Sequence, residues 1–192
     1  MPVLTPLIDD YGRFEKQVRH FTEKLCGPFC SRCGKVCCRA HFCDETRQSP
    51  FLARVAAMFS PESTFSLTHG WLAATGCSLV AGRPPVCYEF LCHDINDALG
   101  DDPDCRHALL TLSMLMTHVG RRAIGGRHLV EATRPADLQR LRPDRFMARL
   151  DEARAALTAA SEVFSGHRTA AGRQAMTRIV LPPLQRSRRR MR

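Results

Sequence analysis

The apolar positions of this 192-residue chain repeat with helical rather than strand-like periods. Between Asp9 and Leu25, the residues Tyr11, Phe14, Val18, Phe21 and Leu25 recur at steps of three and four, which makes one face of a helix. Asp9 or Asp10 can cap its start, and Gly27-Pro28 is the expected stop. Ser49-Pro50 opens a shorter helix to Phe59, because serine accepts the first free N–H groups and proline suits the first helical position. Another helix is expected over Tyr88–Leu99, with Leu91 and Ile95 inward and Gly100 ending it. Asp102-Pro103 begins the next, running to about Arg122. Pro143–Phe164 carries the longest regular pattern, a stripe of Phe146, Leu150, Leu157 and Phe164 flanked by Met147, Ala153 and Ala160.

Between these helices the pattern lapses. Residues 60–87 have no clear period and contain Gly70, Gly76, Gly82, Pro84 and Pro85. They read as an irregular loop with one short strand near Cys77–Val80. The Gly125-Gly126 pair reads as a turn. The expected fold class is mainly α: a small helical domain with an irregular, metal-organised, cysteine-rich loop region and little β. Along the chain this divides into an N-terminal helix (1–25), a cysteine-rich segment (26–106), a helical extension packing on it (107–165) and a basic, flexible tail (166–192). No internal repeat of 20 to 50 residues is visible.

Composition narrows the class. A hydrophobic fraction of 44% with 24% charged residues is ordinary for a globular chain. The longest mainly apolar run, Ala108–Val119, is about a dozen residues, against the roughly 20 that span a bilayer. The N-terminal residues lack the basic, apolar and small-residue succession of an export signal. The expectation is a cytoplasmic protein in a reducing compartment, where stable disulfides are rare. The net charge of +9 is a property of the C-terminal end: from Gly166 onward there are eight arginines and no acid. The rest of the chain carries 20 basic and 19 acidic residues.

The ten cysteines carry the candidate chemistry. Six lie between Cys26 and Cys43, and the others are Cys77, Cys87, Cys92 and Cys105. In Cys30-x2-Cys33-x3-Cys37-Cys38, the C-x2-C step lets two sulfurs face one metal. Side chains of the vicinal Cys37-Cys38 pair diverge, which suits two metals or two corners of a cluster. Cys105 falls in the first turn of a helix, where the positive end of the helix dipole favours a thiolate ligand. Cys26, Cys43 and Cys92 serve equally well as ligands or as small buried hydrophobes.

These elements, with Gly76-Cys77-Ser78-Leu79 and Arg83-Pro84-x-x-Cys87-x-x-Phe90, resemble the YkgJ-type cysteine-cluster family, a zinc- or iron-chelating domain. The resemblance covers roughly residues 26–106. It implies ligation by Cys30, Cys33, Cys37, Cys38, Cys77, Cys87 and Cys105, with Cys92 competing for the last place. Tyr88 stands where that family has arginine. His69 stands where a cysteine is usual, and imidazole keeps a donor there for zinc or iron. His41 and His93, beside cysteines, are second choices. The eight donors would fill two four-coordinate sites or one cluster with spare thiols.

Three functions follow as expectations. The first is a metal-binding module holding zinc or iron, the Cys/His mixture favouring zinc. The second, suggested by a similarity to the cysteine-rich part of flagellin lysine methylases, is an iron–sulfur electron carrier or the iron–sulfur component of a modifying enzyme. The third is a zinc module with non-specific nucleic-acid contact through the arginine tail. Aromatic residues are only 7% and none interrupts the arginine run, so a base-stacking platform is missing and this reading ranks last. No dinucleotide, P-loop, metalloprotease or nucleophile-elbow motif is present, which tilts the expectation away from an enzyme.

Overall fold

The computed structural model describes residues 4–33, 38–74 and 76–180. The described chain is mainly helical, with little β structure. Helix α1 spans Leu4–Cys30, α2 Asp44–Gln48 and α3 Pro50–Phe59. A hairpin of two two-residue strands follows, β1 (Leu72–Ala73) and β2 (Gly76–Cys77), with Leu72 opposite Cys77 and Ala73 opposite Gly76. Helices α4 (Val86–Glu89), α5 (His93–Leu99), α6 (Pro103–Gly120), α7 (Pro143–Phe164) and α8 (Ala170–Val180) complete the chain. No helix among the described residues is long and apolar enough to cross a membrane.

One principal core joins the helices. The face predicted for α1 is buried at Tyr11, Phe14 and Val18, and it meets Phe51, Leu52 and Val55 of α3. The rings of Tyr11 and Phe51 meet edge to face at 5.3 Å, and Phe51 packs on Phe146 of α7 at 5.5 Å. Such pairs add specificity of geometry to the area they bury. On α7 the buried stripe is richer in alanine than in large residues: Ala153, Ala156 and Ala160 are fully enclosed, whereas Leu157 and Phe164 lie at its edge. Small residues there let α6 and α8 approach closely. The remaining apolar surface forms a satellite cluster of Cys26, Ile95 and Leu109, edged by Leu25, Phe29, Leu91 and Cys92.

Several boundaries differ from the sequence expectation. Helix α1 does not stop at Gly27-Pro28 but runs to Cys30, with the Ser31 N–H donating to the Gly27 carbonyl at 2.9 Å. Packing of Leu25 and Phe29 against the satellite cluster outweighs the local preference of proline for ending a helix. Asp9 and Asp10 are not caps. They lie inside α1 and pair with Arg13 and Arg154. The helix expected over 88–99 is two pieces, α4 and α5, separated at 90–92 where Cys92 becomes the N-cap residue of α5. The strand expected near 77–80 is shorter and pairs back on 72–73. Part of the expected tail is also ordered as α8, because Met176 and Ile179, three residues apart among the arginines, are buried against α6 and α7. Residues 181–192 lie outside the described residues.

The loop of residues 78–88 is tied to this core by several hydrogen bonds, three of which converge on one carboxyl group. Glu15, on the buried face of α1, accepts hydrogen bonds from the Gly82 N–H (2.6 Å), the Arg83 N–H (2.8 Å) and the Tyr88 hydroxyl (2.9 Å). Gly82 has φ +90° and presses on α3 so closely that a Cβ there would stand 2.6 Å from the Ala56 nitrogen. Its carbonyl accepts from the Thr46 hydroxyl at 2.7 Å. The Arg19 and Arg83 guanidinium groups both donate to the Leu79 carbonyl. Complete burial raises Glu15 from the ordinary carboxyl value of 4.5 to about 7, against the lowering effect of its three donors.

A carboxyl whose folded-state pKa is raised binds its proton more tightly when folded. Its contribution to stability is therefore fully present below pH 4.5 and is lost as pH rises to about 7. The loss should be on the order of 3 kcal/mol. Histidines 118 and 128, lowered mainly by burial, act in the opposite direction over part of this range. The difference between wild type and Glu15→Gln isolates the carboxyl. Urea unfolding at pH 5 and pH 7.5 should show the wild type losing stability relative to Glu15→Gln, and parallel pH profiles would contradict this assignment. Glu15→Leu, which leaves three donors without an acceptor, should cost several kcal/mol at either pH.

Candidate metal centre

Three stretches of chain bring sulfur and imidazole donors to one cavity. The first is the single turn of 3₁₀ helix over Ala40–Cys43 with the residues just before it, which supplies Cys38, His41 and Cys43. The hairpin region supplies His69 and Cys77, and α4 supplies Cys87. The cavity has a volume of about 530 Å³, and Trp71, Arg83 and Phe90 also line it.

Each stretch is positioned by local chemistry. In the segment before the hairpin, Ser66 and Gly70 exchange backbone hydrogen bonds at 2.7 and 2.8 Å, and the Ser66 hydroxyl accepts from the His69 N–H at 3.3 Å. Gly70, at φ +63°, is pressed against Cys43: a Cβ there would lie 2.5 Å from its sulfur. The indole of Trp71 meets Phe65 edge-on at 5.3 Å, and the Arg47 guanidinium lies over the Phe65 ring at 4.4 Å. For Cys87, the Cys87 N–H bonds to the Pro84 carbonyl (3.0 Å) and the Tyr88 N–H to that of Pro85 (2.9 Å), a turn that presents the thiol to the cavity. The preceding Arg83 folds back to the carbonyls of Leu79 (3.1 Å) and Cys77 (3.5 Å), so its charge sits beside two of the sulfurs.

The thiols lie within electrostatic reach of one another. Burial, reinforced by Cys43 and Cys77, pushes Cys87 up to about 12, while the Arg83 charge acts in the opposite sense. Cys87 lines the cavity and keeps part of its surface open to solvent. Burial also raises Cys43, partly offset by a hydrogen bond from the Trp71 backbone. Thiols raised in this way are neutral until a cation arrives, and a metal that deprotonates them removes the cause of the shift.

A second grouping of sulfurs sits at the end of α1. Cys26, buried in the satellite cluster, is pushed up to about 11 by burial and by its neighbours Cys30 and Cys92. Cys26 and Cys30 are one helical turn apart on one face. Cys33 follows on the exposed segment, its N–H donating to the Cys30 carbonyl at 3.2 Å. Cys105 lies in the first turn of α6 as expected, with its N–H donating to the Asp102 side chain at 3.3 Å. Its side chain packs at the edge of the principal core and does not line the cavity.

Of the eight expected donors, Cys38, His69, Cys77 and Cys87 share the cavity. Cys30 and Cys33 lie at the end of α1, Cys105 stands apart, and Cys37 falls outside the described residues. Two donors left open by the sequence, Cys43 and His41, belong to the cavity as well. A possible signal for Cys43 was its place five residues after the vicinal pair, but that spacing matches no knuckle. His93 forms an ion pair with Asp97 at 2.5 Å on the exposed face of α5. Among the described residues, no three of His, Cys, Asp and Glu stand at metal-holding distances from a common point. The donors share a cavity wider than one ion requires.

Compared with protein-family models, curated proteins and solved structures, the chain matches none. The likeness to the YkgJ-type family rests on the motif residues alone.

The contact between Gly70 and Cys43 gives a direct test of how the cavity is held. Gly70→Ala should destabilise the protein by about 1–2 kcal/mol through the left-handed backbone alone. It should also displace Cys43 and accelerate its alkylation in the metal-free protein, measured by mass spectrometry against Cys77. An unchanged Cys43 rate with unchanged stability would show that the close contact does not constrain this sulfur.

Proposed function

We propose that the protein is a metal-binding cysteine-cluster protein of the YkgJ type, and that its metal is held in the cavity by Cys38, Cys43, Cys77 and Cys87, with His41 and His69 as further donors. The observation that carries this reading is the convergence of four thiols and two imidazoles, from stretches up to 49 residues apart in sequence, on one cavity beside the Arg83 guanidinium. Thiolate and imidazole together suit zinc, and also iron. Bound metal would tie the 38–43, 69–77 and 83–87 stretches to one another, supplying folding free energy of order 10 kcal/mol for a structural zinc site. Arg83 would offset part of the negative charge of the thiolates, and Glu15 would fix the backbone from which Arg83 and Cys87 project. The sulfurs of Cys26, Cys30 and Cys92 form a separate group. With Cys33 and Cys37 nearby in sequence, they are the donors available for a second ion.

Metal analysis with a visible spectrum, on protein purified without oxygen, tests the reading. The expected result is colourless protein with stoichiometric zinc that Cys77→Ser and Cys87→Ser each reduce, whereas Cys105→Ser does not. A brown protein bleached by dithionite would assign the same donors to an iron–sulfur cluster and favour the electron-transfer reading. Removal of metal by a strong chelator should increase proteolysis within residues 38–90. Metal-free protein as purified, or metal retained in full by Cys77→Ser/Cys87→Ser, would overturn the proposal.

A further inference from the structure

Four arginines meet at one cavity of the helical body that holds a single carboxylate, Glu152, among its described lining residues. Arg145 and Arg149 are one turn apart on α7, with Glu152 nearly a turn further along the same face. Arg121 follows the end of α6, and Arg178 reaches the same place from the last turn of α8. With His118 they line a cavity of about 440 Å³. Several other arginines find acids: Arg13 pairs with Asp9, Arg127 and Arg134 with Asp137, and Arg168 and Arg173 with Asp104. None of these four makes a salt bridge among the described residues. Glu152, the one carboxylate lining this cavity, is engaged by His118 Nε2 at 2.8 Å.

The arrangement is unfavourable for the empty protein. Like charges one helical turn apart repel. Arg149 Nη1 is shut away from solvent and has no hydrogen-bond acceptor, although a buried charged donor ordinarily has one. Burial, then the charges of Arg121, Arg122 and Arg145, lower the Arg149 pKa, while Glu152 opposes them. Arg122 holds φ 53°, the left-handed region that a non-glycine residue enters at a cost. An anion in the cavity would relieve the repulsion between the arginines and supply the acceptor that Arg149 Nη1 lacks.

We propose that this cavity is a binding site for a small phosphate-bearing anion. Guanidinium forks match phosphate oxygens two at a time, and an acceptor there would complete the bonding of Arg149 Nη1. The arginines come from α7, α8 and the residue that follows α6, and line a volume suited to a compact ligand. An extended nucleic-acid strand would need a long basic groove with aromatic stacking surfaces, and this cavity has no aromatic wall apart from the His118 ring. None of its residues lines the cysteine cavity, so the site stands independently of any metal.

Titration calorimetry of the full-length protein with inorganic diphosphate and with inorganic phosphate, at constant ionic strength in chloride, tests this. Saturable binding is expected, with Arg149→Ala and Arg178→Ala each weakening it about tenfold or more. Arg13→Ala, on a paired surface arginine, should leave it unchanged. Tighter binding of diphosphate supports a ligand with two phosphates, and equal binding supports a phosphate monoester. Thermal melting without ligand should show Arg149→Ala at least as stable as wild type, since repulsion is relieved, which separates lost binding from lost folding. The proposal is overturned if neither anion binds saturably, or if both variants bind as wild type does. It is equally overturned if a single-stranded oligonucleotide binds and diphosphate does not compete.

Discussion

A single buried carboxyl group anchors the loop that carries Cys87. Glu15 comes from the long first helix, and the groups it binds come from residues 82–88, 67 to 73 positions later. Two of its donors are backbone N–H groups, which have no other partner in an irregular loop and would be costly to bury unsatisfied. With them fixed, Gly82 can lie against α3, Arg83 turns back over its own loop, and Cys87 faces the cavity. Remove the carboxyl and none of these follows from local sequence preference.

The helical part of this architecture was largely legible beforehand. Ser49 before Pro50, Asp102 before Pro103, and the stripe of α7 each announce an element in local terms, and α3, α6 and α7 begin where those signals stand. The failures share a cause. The passage of α1 through Pro28 and helix α8 were each decided by burial against residues distant in sequence: Ile95 and Leu109 for the end of α1, and the α6–α7 pair for Met176 and Ile179. Local propensity does not contain that information.

The candidate site was legible as a set of donors but not as a partition of them. Spacing along the chain joined Cys30 and Cys33 to Cys38. In three dimensions the continuation of α1 carries Cys30 towards Cys26 and Cys92, while Cys38 joins Cys43, Cys77 and Cys87. The Tyr88 position shows the reverse. As a departure from a motif it had no evident meaning, yet its hydroxyl is the third donor to Glu15. Glu15 itself was invisible, because a glutamate in a helix is normally a solvated residue and nothing in the sequence marks it as enclosed.

The division into a principal core and a satellite cluster also bears on kinetics. Cys26, Ile95 and Leu109 bury little apolar surface compared with the core around Phe51 and Phe146. Small clusters of this kind open by local fluctuation, at a free energy well below that of global unfolding. The buried sulfur of Cys26 can therefore reach solvent while the tertiary structure stays intact, whereas Cys92 is already partly open to it. Access to the Cys26 sulfur at that end of α1 then needs only local opening, with the principal core left intact.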